Sequence, residues 1–120
     1  DLWRDYLKIG VTTLLEAPEN ETHEARSDCH AWGAHPIWLM QTGLAGIRSA
    51  APFFAKVVVA PQPGSLGSFT ATHPHPGGEI RVKLAFADGR ATGTVETPVA
   101  GDFVYGNQKL ALRPGLNEIR

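Results

Sequence analysis

The chain has 120 residues, 42% of them hydrophobic and 19% charged, a composition that suits one modest globular domain. Eleven basic side chains against twelve acidic ones leave a net charge of −1, which gives no electrostatic reason to invoke nucleic acid, and no apolar run approaches the length of a membrane span. A single cysteine, Cys29, excludes an internal disulfide framework and a cysteine-rich zinc site, and does not fix the redox compartment.

The first elements are helical. Leu2, Trp3, Tyr6, Leu7, Val11, Leu14 and Leu15 recur every three or four residues, the spacing of one apolar helix face. Gly10 interrupts that face and marks the end of a first helix, with Val11–Leu15 a second short turn that Pro18 stops. Residues 19–28 are polar and aperiodic, a loop. Ser27 or Asp28 then stands as N-cap of a helix from about Asp28 to Leu44, which Pro36 bends or begins and Gly43 and Gly46 terminate.

From Phe53 onward strands are expected. Lys56–Ala60 is a β-branched run closed by Pro61 and the Pro63-Gly64 turn. Glu79–Phe86 alternates, with Ile80, Val82, Leu84 and Phe86 facing a core, and Asp88-Gly89 is a hairpin turn leading to a weaker strand at Ala91–Thr97. Phe103–Tyr105, a Gly106-Asn107 turn and Lys109–Leu112 form another hairpin, and Leu116–Ile119 a last strand. Helices first and strands second give an α+β fold, N-terminal helices followed by an antiparallel β-sandwich.

Charge is uneven along this plan. Residues 1–30 hold seven acids against three bases, and residues 31–120 five acids against eight bases. Either two differently solvated surfaces result, or the first segment supplies carboxylates to a site.

Most candidate chemistry has an ordinary explanation. His30 and His35 lie about 140° apart around a helix, so they do not form a zinc-binding pair. His73-Pro74-His75-Pro76-Gly77-Gly78 describes a rigid connection between strands with exposed imidazoles, and Cys29 a buried inert thiol. Glu16 is different. It ends an apolar helical segment where the chain enters a loop, and a carboxylate there can point into a cleft. Asp28, His30 and Trp32 open the next helix and can stand beside it. An acid that activates water, an imidazole that bonds a hydroxyl and an indole that stacks on a pyranose make a sugar site.

Three runs, Thr12-Thr13-Leu14-Leu15-Glu16, Arg26-Ser27-Asp28-Cys29-His30-Ala31-Trp32 and Gly46-Ile47-Arg48, resemble the end of the catalytic domain of bacterial α-L-rhamnosidases, glycoside hydrolase family 78. Pro52–Val57, Pro61–Leu66 and His75–Ile80 resemble that family's C-terminal β-sandwich. The resemblance implies that residues 1–50 are closing helices of an (α/α)6 barrel and residues 51–120 a jelly-roll-type accessory domain. It implies an inverting hydrolase of terminal α-L-rhamnosyl residues that needs no cofactor or metal. Glu16 would be its general base, with His30, Trp32 and Asp28 binding the sugar. Leu14, Leu15 and Ala17 stand where many members carry aromatic residues, which bears on the sugar accepted.

The family's general acid lies far upstream, and the opening Asp-Leu-Trp-Arg reads as the middle of a longer protein. The chain by itself is then expected to be inactive. Its helices, with Trp3, Leu7, Leu14, Ile37, Trp38 and Met40, would leave apolar surface that favours self-association or docking on the sandwich. Partners on this reading are a rhamnose-containing glycoside and the upstream barrel, with no nucleic acid and no membrane. The competing reading is a non-catalytic carbohydrate-binding or structural sandwich, for which Phe69, Phe103 and Tyr105 are the strand aromatics on offer.

Overall fold

The computed structural model describes residues 2–16 and 27–120, arranged as two compact units, Asp1–Trp38 and Leu39–Arg120. The expected loop at residues 19–28 falls mostly outside the described residues.

In the first unit α1 spans Leu2–Lys8. Lys8 lies in its last turn, where a cation suits the helix dipole, and its Nζ donates to Asp5 Oδ1 at 2.8 Å. That bond and the ammonium charge hold the Asp5 carboxyl below the usual carboxylate range. Gly10 ends the helix as its sequence position suggests. With φ +74° it lets its own N–H reach Leu7 O and the N–H of Val11 reach Tyr6 O, the paired bonds of a Schellman cap.

The short second turn expected at Val11–Leu15 does not form. That stretch is irregular: Leu14 O accepts from His30 N–H, and the Thr13 hydroxyl donates to Asp28 O. The second helix also differs from expectation. Residues 31–44 are helical throughout but in three registers: a 3-10 turn Ala31–Ala34, α2 at His35–Leu39, and a π turn Met40–Leu44. His30, not Ser27 or Asp28, takes the N-cap position, and no side chain caps it. Pro36 sits in the first turn of α2, where its missing N–H costs nothing.

The second unit is a β-sandwich of two four-stranded sheets. One sheet runs β1 (Ile47–Ser49), β2 (Val57–Val59), β6 (Gly101–Tyr105), β7 (Gln108–Leu112). The other runs β3 (Ser68–His75), β4 (Gly78–Ala87), β5 (Arg90–Thr97), β8 (Gly115–Ile119). Both hairpins and the last strand lie where the turn signals put them, and Asp88 (φ 50°) and Gly89 (φ 72°) supply the two left-handed residues of a tight β-turn. The sandwich is not wholly antiparallel, however. β2 and β6 run parallel, Val57 opposite Gly101, after the chain has crossed to the other sheet and back. β1 and β3 were not expected, and β3 takes His73, Pro74 and His75 out of the predicted loop and into a strand.

The core is shared by both sheets. Ile47, Val57, Val59, Phe103 and Leu112 of one meet Ile80, Val82, Leu84, Ala91, Val95 and Ile119 of the other in a single buried cluster. Alternation in β4 produces this directly, burying Ile80, Val82 and Leu84 and leaving their neighbours in water. Each such side chain contributes about 1.5–3 kcal/mol on leaving water. Phe69, Phe86 and Tyr105 pack against the same cluster and on one another, with ring centroids 5.5 and 5.0 Å apart. Phe103 is fully buried.

Candidate functional site

The first unit carries a cleft of about 350 Å3 lined by Trp3, Tyr6, Leu15, Glu16, His30, Trp32 and Gly33. Two short stretches build it. His30 N–H donates to Leu14 O at 2.8 Å and Glu16 N–H to Ser27 O at 3.0 Å, so residues 14–16 and 27–30 lie side by side. Thr13 Oγ1 adds a bond to Asp28 O. Tyr6, buried beneath them, donates its hydroxyl to Leu15 O at 3.4 Å. Gly33 permits the close approach of the 3-10 turn, since a Cβ there would stand 3.0 Å from Leu14 Cβ and 3.2 Å from Leu15 O.

Within that frame the Glu16 carboxylate is held by one side. Ser27 N–H donates to Oε2 at 2.9 Å, and His30 Nδ1 stands 3.9 Å from the same oxygen. Oε1 accepts no hydrogen bond among the described residues. The Glu16 side chain is 44% exposed, so water reaches it. The His30 ring meets Trp32 edge to face, centroids 5.7 Å apart, and Trp32 is 80% exposed. The cleft therefore offers an anchored carboxylate, an imidazole beside it and an open indole wall, equipment for removing a proton from water next to a bound ring.

Glu16, His30 and Trp32, singled out from sequence, share this cleft, although Glu16 leaves an irregular segment and not a helix end. Asp28 does not line it. Its backbone carbonyl instead takes the Thr13 hydroxyl. Cys29 is exposed rather than buried, because residues 27–30 are surface bends and not a helix turn. His35 turns away, with Nδ1 on Trp32 O. Trp3 and Tyr6 belong to the cleft but read in the sequence only as part of an apolar helix face. The Ser27 N–H had no sequence signal, since nearly every residue carries that donor.

Among the described residues no group of three or more His, Cys, Asp and Glu is placed to hold a metal ion, and no helix is long and apolar enough to cross a membrane. In the second unit the two histidines of the Pro-Gly-rich run are half-buried and bonded. His73 Nδ1 pairs with Gln41 Oε1 at 2.6 Å, and His75 Nε2 with Phe54 O at 2.9 Å. His75 Nδ1 accepts from Gly77 N–H at 2.9 Å. Burial, with the neighbouring His75 charge, pushes the His73 pKa below the usual histidine value.

Residues 46–103 match the family described as the bacterial alpha-L-rhamnosidase C-terminal domain. The matched stretch lies within the β-sandwich, from the glycine that precedes β1 to β6. Two solved structures share the fold. One is an alpha-L-rhamnosidase from Dictyoglumus thermophilum, 23% identical, TM-score 0.68, the match covering 82% of this chain and 12% of that one. The other is a Streptomyces avermitilis alpha-L-rhamnosidase complexed with L-rhamnose, 21% identical, TM-score 0.67, covering 84% of this chain and 11% of that one. The chain thus spans about an eighth of the length of either enzyme. No curated protein sequence matches the chain.

Proposed function

We propose that the chain is the C-terminal part of an inverting glycoside hydrolase that removes terminal α-L-rhamnosyl residues, with Glu16 as its general base. The observation that carries the reading is the cleft in which Glu16, His30 and Trp32 meet, with Oε2 anchored by Ser27 N–H and the Glu16 side chain 44% exposed. The family match of the sandwich supports it from the other end of the chain. The fold likeness supports it too, since it covers more of the chain than residues 39–120 make up.

On this reading Glu16 takes a proton from the water that attacks the anomeric carbon. His30 bonds a sugar hydroxyl, and Trp32 and Trp3 wall the ring. Asp28, outside the cleft lining, steadies the stretch that carries Glu16 through its bond with Thr13. The general acid belongs to a preceding barrel, placed about 6.5–9.5 Å across the bond from the base as inversion requires. The helical part closes that barrel and the sandwich, of jelly-roll type, braces it. The sequence sets their boundary at residue 50, whereas the compact units meet at Trp38 and Leu39.

The test uses the longer enzyme that contains this segment and an aryl α-L-rhamnoside. Glu16→Ala should lower kcat by about 10²–10⁴-fold. Azide should restore turnover and yield the rhamnosyl azide of inverted configuration. A variant with full activity, or one that azide does not rescue while its fold is intact, would remove Glu16 from the base role.

A further inference from the structure

The outer face of the β3-β4-β5 sheet carries a second hollow, in the other compact unit from Glu16. Its volume is about 530 Å3, in the size range of small-molecule sites. Strand register explains its shape. Thr70, Lys83 and Thr94 stand abreast on neighbouring strands, and Ser68, Ala85 and Thr92 form the next row. These six positions alternate with core-facing Phe69 and Leu84 and with Gly93, so their side chains all leave the sheet on the solvent side. Ala85, on the central strand, contributes only a methyl group, and the longer side chains around it leave a depression over it.

The chemistry of that depression is specific in sign. Four hydroxyls surround it, each able to donate and to accept. Arg81, one row away, is engaged by two carboxylates, Glu79 at 2.6 Å and Glu96 at 3.2 Å. Lys83 makes no ion pair among the described residues, and it is the one charged side chain in the lining of the hollow. An aromatic platform is missing because Phe69, Phe86 and Tyr105 pack into the core and Phe103 is buried, which removes the strand aromatics from sugar stacking. A ligand here must be held by hydroxyl groups and one carboxylate.

We infer that this hollow binds an anionic saccharide, its carboxylate on Lys83 and its ring hydroxyls on Ser68, Thr70, Thr92 and Thr94. It is an accessory binding site, independent of the Glu16 reading, and it stands or falls without any assay of hydrolysis. Without stacking, affinity is modest, with Kd on the order of 1 mM, and it weakens as salt screens the single charge.

The test is a titration of the ¹⁵N-labelled 120-residue chain with cellobiouronate, cellobiose and acetate, followed by amide shifts. Cellobiouronate should move the amides of residues 68–70, 83–85 and 92–94. Cellobiose, which differs only in a hydroxymethyl group for the carboxylate, should bind about tenfold more weakly, as loss of one charge-assisted hydrogen bond requires. Lys83→Gln should erase that preference, and Ala85→Leu should fill the hollow and abolish binding of both sugars. Shifts absent or elsewhere, an equal response to cellobiose, or an equal response to acetate would overturn the assignment. So would Lys83→Gln binding both sugars as the parent does; this variant sits on an exposed face and keeps the test decisive if Ala85→Leu fails to fold.

Discussion

Gly46 is a residue at which the sandwich has no room for a methyl group. It joins the π turn Met40–Leu44 to β1, is buried, and has φ +68°. A Cβ built there would lie 2.0 Å from Ala60 O, 2.1 Å from Ala60 C and 2.6 Å from Pro61 N. All three are backbone atoms, so no side-chain rotation relieves the clash. The surrounding strands are also fixed, since Ala60 N–H donates to Gly46 O at 3.0 Å and Gln62 N–H to Leu44 O at 2.9 Å. For Gly46→Ala the left-handed conformation costs about 1–2 kcal/mol and the overpacking about 1–3 kcal/mol. A weakened backbone bond adds about 1 kcal/mol, for a loss of roughly 3–6 kcal/mol. Gly64 is the control. Its φ is +59° but a methyl group on its Cα would meet nothing within 4 Å, so Gly64→Ala should lose only the conformational part, about 1–2 kcal/mol. Urea unfolding of both variants measures the difference. At an m-value of about 1–2 kcal/mol per molar, the Gly46→Ala midpoint should fall about 1–4 M below that of Gly64→Ala. An outright unfolded Gly46→Ala beside a folded Gly64→Ala agrees with the reasoning; equal midpoints would refute it.

Gln108 works as a piece of strand made from a side chain: its amide accepts from Ala91 N–H at 2.6 Å and donates to Ala91 O and Arg120 O at 2.9 Å each. Gln108→Ala leaves polar groups of buried Ala91 unpaired and should destabilise the chain by about 2–3 kcal/mol in urea, with Gln108→Glu intermediate. His73 sets a pH dependence. Its pKa is lowered in the fold, so the unfolded chain binds more protons near and below the ordinary value of 6.5. Its contribution to stability is therefore present above pH 6.5 and lost as pH falls through the lowered value; His73→Gln should flatten the acid side of a stability–pH curve, and an unchanged slope would count against the burial argument. Finally, Trp3, Leu7, Ile37 and Trp38 are exposed, as is Met40, whereas Leu14 is half-buried. Light scattering on the 120-residue chain should show concentration-dependent association that Leu7→Lys and Trp38→Lys together reduce, and a strict monomer at high concentration would contradict it.

Strand formation was legible wherever alternation ran long enough between turn residues. β4 has four alternating apolar positions and the Asp88-Gly89 turn behind it, so its inward face could be read residue by residue. β1 offers three residues, too few for a period of two to declare itself. β3 hides its alternation because two of its inward positions are His73 and His75, and because Pro74 argues against a strand. Pro74 is tolerated since β3 is an edge strand of its sheet. The parallel pairing of β2 with β6 could not be read at all, because alternation records which face a residue takes and not the direction of its neighbour.

The cleft divides along the same line. Side-chain types marked Glu16, Asp28, His30 and Trp32 as a group, of which Asp28 does not line the cleft, and helix periodicity drew Trp3 and Tyr6 into the apolar face of α1. What brings the groups together is backbone pairing between residues 14–16 and 27–30, which no side chain encodes, together with a glycine at position 33 small enough to let the turn come close. The apolar spacing of Val11, Leu14 and Leu15 even suggested the wrong structure, because Gly10 had already closed the helix with its two capping bonds. Leaving the helix is what anchors Glu16: a residue in an irregular segment can turn its N–H to Ser27 O and accept the Ser27 N–H on Oε2, fixing one carboxylate oxygen. In a regular helix that N–H would be spent within the helix, and the carboxylate would have only solvent to hold it.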